Sequence, residues 1–320
     1  MRRSTLIRAT AWSAVLVGVA APLARKRVSA PALLTQAAAF AAPVALCVAL
    51  RRSRGRDVAA CALQMWAYVA AYKTPHDDAL AQEQRVHITY PIVADRVLGL
   101  GELPSVRLQR ALARNGPDGP RWRALDRVLV WAHWSWFIVP HGSLLYILAR
   151  HPERFTRAAT MTYSVFDVGA SFYWVIPTAP PWFAAGASEP GALDGEDGVR
   201  AVRRMMVEYG EFFWGDGWGS LYSMFGGNPL AAMPSLHFAT SAMAAVLLLE
   251  VSAVAGALAI AYTATLGFAL VYLGEHYLVD LLAGAALTAA VRRCEPRAGP
   301  LFARAGRLVA ALERLAHEEV

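Results

Sequence analysis

From Phe238 to Glu275 the chain carries only two charged residues, Glu250 and Glu275, among mostly apolar side chains. One membrane crossing takes about 20 apolar residues. This stretch is too long for one crossing and predicts a helical hairpin with its turn near Glu250–Gly256. A hairpin returns the chain to the face it left, so His237 and His276 are expected on one side of a bilayer. Further apolar runs fall near 9–24, 31–50, 57–72, 128–149, 157–177 and 276–291. Together they predict an all-α, polytopic membrane bundle of about six to seven transmembrane helices.

Composition agrees. Hydrophobic residues make up 56% of the chain and charged residues 17%, against about 25% charged in an ordinary soluble domain. That excludes a disordered chain, a coiled coil and a typical cytosolic enzyme. The net charge of +7 is nearly all arginine, because Lys26 and Lys73 are the only lysines. The basic residues flank apolar runs, which suits lipid headgroups and topology; a nucleic-acid partner would call for a basic soluble face. Cys47, Cys61 and Cys294 form neither a metal spacing nor a disulfide framework.

Arginines in short loops set orientation. Arg51, Arg52, Arg54 and Arg56, then Arg150 and Arg154, then Arg292 and Arg293 all fall on one side of the span scheme, taken as cytoplasmic. Arg25-Lys26-Arg27 falls on the other side and runs against the scheme. The first run follows Met1-Arg-Arg and has a signal-peptide look; it is read as an uncleaved span because another follows at once. The chain is thus expected as a multi-pass cell-membrane protein. Two long segments, about 73–127 and 178–233, are expected outside. Within the first, Val106–Arg114 reads as a short surface helix. The second holds Pro180-Pro181, a Gly186–Gly198 stretch and interfacial aromatics from Phe212 to Trp218. Residues 301–316 read as an amphipathic helix.

The residues that suggest chemistry are Pro234-Ser-Leu-His237 and Gly274-Glu-His276-Tyr-Leu-Val-Asp280. His276 and Asp280 stand i, i+4, so they share a helix face. A carboxylate on one imidazole nitrogen fixes the tautomer and frees the other nitrogen as nucleophile or base. Pro234 suits the first turn of a helix. Ser235 and His237 then sit where unpaired N–H groups and the helix dipole favour an anion such as phosphate, and His237 is placed to give a proton to a leaving oxygen. Taken singly, each has a plainer reading: an interfacial histidine, a structural His–Asp bond, a helix cap. His133, His141 and Asp167 are read as interhelical hydrogen-bonding groups, Asp95, Glu102 and Asp126 as surface residues, and Trp131, Trp134 and Trp136 as packing aromatics.

At Met233-Pro-Ser-Leu-His237 and His276-Tyr-Leu-Val-Asp280 the sequence resembles the type 2 phosphatidic-acid phosphatase superfamily, and within it the inositol phosphorylceramide synthase-like branch. The likeness is tight over about 226–285, looser from about 128, and absent from the first 70 residues. It implies a metal-independent, cofactor-free membrane phosphotransferase, with His276 as the nucleophile that becomes phosphohistidine, Asp280 orienting it and His237 protonating the leaving alcohol; the arginine scheme puts this site on the extracytoplasmic side. A lipid phosphate or phospholipid would be the substrate, and an alcohol or inositol an acceptor. The alternatives are a lipid or polyprenyl phosphate phosphatase, or a non-catalytic lipid-binding or transport bundle. The superfamily's Lys-x6-Arg-Pro motif is missing, and Leu270 stands where an arginine is usual. Arg200, Arg203 and Arg204 are candidate substitutes as phosphate ligands alongside Ser235, with a solvated charged face as the plainer reading of each arginine, and Pro177–Pro181 is either the place of the lost motif or an ordinary loop break. The expected units are 1–56, N-terminal membrane spans; 57–293, the catalytic membrane domain; and 294–320, a cytoplasmic amphipathic tail.

Overall fold

The computed structural model describes residues 3–116, 119–186, 202–225 and 227–318. The chain opens with α1 (Arg3–Ala24), α2 (Ala32–Ala49) and α3 (Arg54–Lys73), packed in sequence as antiparallel neighbours. The Ser53 hydroxyl accepts the Arg56 N–H and starts α3, as a good N-cap does. The basic Arg25–Arg27 loop between α1 and α2 is partly neutralised. Arg25 and Lys26 both pair with Asp77, just past the far end of α3.

The segment after α3 carries α4 (Ala79–Glu83), α5 (Thr89–Leu98) and α6 (Pro104–Leu112). The last of these is the short helix expected around Val106–Arg114. A two-residue hairpin, β1 (Asn115–Gly116) with β2 (Gly119–Pro120), supplies the strands found among the described residues. The run 128–149, expected as one span, is broken into α7 (Ala124–Trp134), a single 3₁₀ turn at Ser135–Phe137, and α8 (Ile138–Arg150). The Ser135 hydroxyl bonds back to the Trp131 carbonyl at 2.7 Å. The Trp136 indole N–H is drawn to Thr240 Oγ1 at 3.0 Å. Pro140, lacking an N–H, sits in the first turn of α8, where none is needed.

Then follow α9 (Pro152–Val175), α10 (Pro181–Ala184), α11 (Met205–Trp214) and α12 (Gly217–Phe225). The expected hairpin is α13 (Leu236–Leu249) and α14 (Ala253–Tyr272), turning at Glu250–Ser252. Ser252 caps α14 through the Ala255 N–H. The chain ends in α15 (Leu278–His317), a single helix that continues through residue 294 without a break. Its end docks on the first two helices, where Ala316 is buried with Ala11, Val48 and Ala49, and on the start of α3, where Glu313 pairs with Arg56 at 3.1 Å. Among the described residues α1, α2 and α14 are long and apolar enough to cross a membrane, and α13 is a shorter apolar helix. The chain is an all-α membrane protein.

The largest core cluster joins α3, α8, α9 and α13 through Tyr68, Ile147, Phe166, Leu236 and Met243. Helix α15 presses against the start of α13. A Cβ on Gly284 would lie 2.6 Å from the Ser235 carbonyl oxygen, so only glycine permits this approach. At the opposite end of the bundle, Arg157 of α9 bridges Glu250 and Glu295, and Arg292 reaches Glu250 at 2.6 Å. This clamp ties the hairpin turn to α9 and α15.

Two acids expected on the surface are fully buried. Asp95 accepts the Val279 N–H at 2.8 Å, and Asp126 accepts the Tyr272 hydroxyl at 2.6 Å. Each found a backbone or hydroxyl donor that spacing along the chain does not reveal. Glu102 does stay partly exposed, paired with Arg107 and Arg110. Asp167 accepts the Gln64 amide N–H across α9 and α3 at 2.9 Å, an interhelical bond as expected. His141 instead bonds within its own chain segment, to the Phe137 carbonyl at 2.8 Å.

Candidate active site

The site lies where α13 and α15 begin. Ser235 is the N-cap of α13 and its hydroxyl accepts the Phe238 N–H at 3.3 Å. Pro234 therefore stands just before the cap, outside the first turn where the sequence places it. The entry to α13 is fixed from three directions. The Pro234 carbonyl accepts the Tyr173 hydroxyl at 2.8 Å. The Ser235 N–H donates to the Asp280 carbonyl at 3.0 Å. The stretch Pro177–Ala179 pairs in extended form with His87 on one side and Leu230–Ala232 on the other. The segment expected to replace a lost phosphate motif thus braces the backbone leading into Met233-Pro-Ser.

His237 and His276, on helices separated by the whole hairpin, meet with His237 Nδ1 3.2 Å from His276 Nε2. His276 Nδ1 lies 3.2 Å from Asp280 Oδ2, and that oxygen also accepts the Tyr277 N–H at 2.9 Å. Asp280 is fully buried and His276 is 4% exposed. An ionised carboxylate only accepts, so Nδ1 of His276 carries the proton and Nε2 presents its lone pair. His237 Nδ1 is then the donor to that lone pair.

Two rings of the broken segment contact His237. The His133 ring stacks on it at 5.1 Å between centroids, and the Trp136 ring lies 4.3 Å away. From the sequence they are read only as an interhelical hydrogen-bonding group and a packing aromatic, not as neighbours of the site. The available signal was their i, i+3 spacing across a helix break, legible only once the break is known. The fold also shows that His133 is no ordinary interhelical hydrogen-bonding residue, because its Nδ1 is buried without a partner.

The candidate phosphate ligands separate. Arg203 is committed elsewhere: its guanidinium pairs with Glu208, bonds Asn115 Oδ1 at 3.0 Å and lies over Trp122. What Arg203 brings to the site is backbone. Its carbonyl would be 2.5 Å from a Cβ on Gly274, which has φ +80°, so this approach two residues before His276 requires glycine. Arg204 points the other way. It pairs with Glu275, the residue before His276, at 3.1 Å, and its guanidinium carbon sits 3.6 Å over the Trp182 ring. Ser235 is fully buried with its hydroxyl used by the helix start. Arg200 lies outside the described residues.

The arrangement brings together a His237–His276–Asp280 chain of contacts, a helix N-terminus and a nearby arginine. The sequence pattern of the PAP2 superfamily matches residues 121–293, more than half of the chain. No curated protein and no solved structure matches it.

Proposed function

Because the chain belongs to the PAP2 superfamily, whose members act on lipid phosphates as phosphatases or phosphotransferases, we propose that it transfers a phosphate-linked group from a lipid donor through a phosphohistidine on His276. The observation that carries this reading is the unbroken chain of contacts His237–His276–Asp280. Asp280 holds the proton on Nδ1, so Nε2 attacks phosphorus. His237, protonated, gives its proton to the departing alkoxide, and the phosphorus–oxygen bond breaks as the nitrogen–phosphorus bond forms. In the second step neutral His237 takes a proton from the acceptor, whose oxygen attacks phosphorus and releases His276. No metal enters either step.

The phosphoryl oxygens are met by the first-turn N–H groups of α13 and by Arg204, which exchanges part of its pairing with Glu275 for the substrate. Ser235 serves as a cap, and Arg203 is not assigned to the phosphate. In this reading α3, α8, α9, α13, α14 and α15 form the catalytic bundle, α1 and α2 flank it, and the end of α15 fastens the two together. The starts of α13 and α15 face the extracytoplasmic headgroup layer, as the arginine-rich loops at the other end suggest.

Water and an alcohol compete for the same intermediate. We favour transfer, with inositol or a similar polyol as acceptor, because Leu236 stands in Met-Pro-Ser-Leu-His as in the synthase-like branch. The test is a panel of lipid phosphates and phospholipids with and without alcohol acceptors, with His276→Ala as control. Transfer products in the wild type and none in the variant support the reading. Free phosphate alone makes it a phosphatase. No turnover of any donor, or turnover that survives in His276→Ala, refutes it.

A further inference from the structure

His133 has no task in the scheme above, yet it touches the scheme's proton donor. We propose that His133 is a fourth side chain of this site, donating a ring N–H to a non-bridging oxygen of the phosphoryl group that His276 attacks; the proposal rests on the phosphotransfer reading.

Three observations lead to it. The first is position. His133 stacks on His237 with ring planes 28° apart, and His237 in turn contacts the nucleophile. Glu275 and Arg204 are close enough for their charges to act on the His133 ring. It therefore borders the space between the proton donor, the nucleophile and the arginine.

The second is an unmet bond. Nδ1 of His133 is buried with no partner, whereas buried polar groups in folded proteins are nearly always paired. The residue as a whole is of intermediate exposure. A histidine kept only to stack on His237 leaves a polar atom unsatisfied that phenylalanine would not. A phosphate oxygen arriving with substrate gives the ring the acceptor it lacks.

The third is demand. A transferring phosphoryl group spreads charge over its non-bridging oxygens and needs donors fixed in advance. The superfamily's Lys-x6-Arg-Pro motif is absent here, and Arg204 is already partly engaged by Glu275. A neutral imidazole offers one N–H, and a hydrogen bond to an anionic oxygen is of the stronger, charge-assisted kind. The break at Ser135–Phe137 makes this geometry. It ends α7 just after His133 and brings Trp136 against His237 as well.

The test uses the full chain in detergent micelles and orthovanadate, a mimic of the transferring phosphoryl group, with binding followed by ⁵¹V NMR. His133→Phe keeps a stacking ring and removes the N–H. It is expected to bind vanadate about 10- to 100-fold more weakly, the span of one hydrogen bond to a charged group, with no change in melting temperature. His133→Gln and His133→Met, alike in length but differing in the donor, repeat the comparison if the phenylalanine variant folds poorly. Glutamine should bind more tightly than methionine. Equal binding by wild type and His133→Phe, or by the Gln and Met variants, overturns the proposal. If the wild type itself fails to bind vanadate, the phosphoryl site is misread and the proposal falls with it.

Discussion

Asp95, on α5, accepts the N–H of Val279 at 2.8 Å and so caps the helix that carries Asp280. The two residues are far apart in sequence, and the bond places a buried carboxylate from the segment after α3 at the first turn of α15. Burial pushes the Asp95 carboxyl up to about 6, against the N–H bonds from Val279 and Leu278 and with the help of the nearby Asp280 charge.

A pH-dependent prediction follows from that shift. Below about pH 4 Asp95 is protonated in both folded and unfolded chains. Between pH 4 and 6 the unfolded chain loses the proton first, so folding is increasingly opposed as pH rises; above 6 the effect is constant. Asp95→Asn keeps an acceptor for Val279 and has no proton to lose. Its melting temperature relative to wild type should therefore climb from pH 4 to 6 and level off by pH 7. Asp95→Ala lacks the acceptor and should lie below the asparagine variant throughout, by about 1 kcal/mol for a lost cap. A pH-independent difference between Asn and wild type would show that the carboxyl is not shifted.

The two adjacent arginines should behave differently. Arg204→Gln removes the cation beside Glu275 and leaves that carboxylate uncompensated next to the nucleophile. KM for lipid donors should rise about 10-fold or more, in line with the loss of a charge-assisted contact. Arg203→Gln disturbs the Glu208 and Asn115 pairings and the contact with Trp122, none of which reaches His237, His276 or Asp280, and should change KM less than about 3-fold. Steady-state kinetics on both variants decide this; equal losses would contradict the assignment of Arg204.

Much of this was legible in the sequence because it depends on local rules. Two low-charge runs around Glu250 required a hairpin, and the i, i+4 spacing of His276 and Asp280 required a shared face. The break in 128–149 was not legible: its apolar content satisfies the length rule, and the tug of Thr240 on Trp136 is tertiary. The same holds for the burial of Asp95 and Asp126, whose donors lie on distant elements. Arg203 and Arg204 look alike in sequence, and only the positions of Glu208 and Glu275 separate them. The missing phosphate motif could be noticed from the sequence, but the Pro177–Ala179 pairing and the contact of His133 with His237 could not.

Orientation has its own check. Cys294 is exposed near the Glu250–Arg157 clamp, on the side proposed to be cytoplasmic. Asp216, in the turn between α11 and α12, is exposed near the site end. In intact cells an impermeant maleimide should label Asp216→Cys and spare Cys294 until the membrane is opened. The reverse pattern would put the active site in the cytoplasm and change the pool of available donors.

The histidine route assigns no step to a cation, so turnover should persist in EDTA. Loss of activity on chelation, restored by Mg²⁺ or Mn²⁺, would require a different mechanism.

The separate duties of His237, His276 and Asp280 can be read from leaving groups. Removing the nucleophile in His276→Ala prevents the phosphoenzyme, so alkyl and nitrophenyl substrates should fail together. Asp280→Asn keeps the shape but can no longer hold Nδ1–H as a charged acceptor. The first step should slow by about 10⁴-fold, the scale seen when a triad aspartate becomes asparagine elsewhere, again for both substrates. His237→Ala removes the proton donor, which matters most when an alkoxide must leave. A nitrophenolate departs as a stable anion and needs little protonation in the transition state, so its first step should be spared relative to the alkyl substrate. The burst of nitrophenolate isolates that step, whereas steady turnover also depends on His237 as base in the second. The deciding number is the ratio of alkyl cleavage to nitrophenolate burst rate in each variant. It should fall sharply in His237→Ala and stay near the wild-type ratio in Asp280→Asn. An unchanged ratio in His237→Ala, together with a burst in His276→Ala, would exchange the roles of acid and nucleophile along the 3.2 Å contact that joins them.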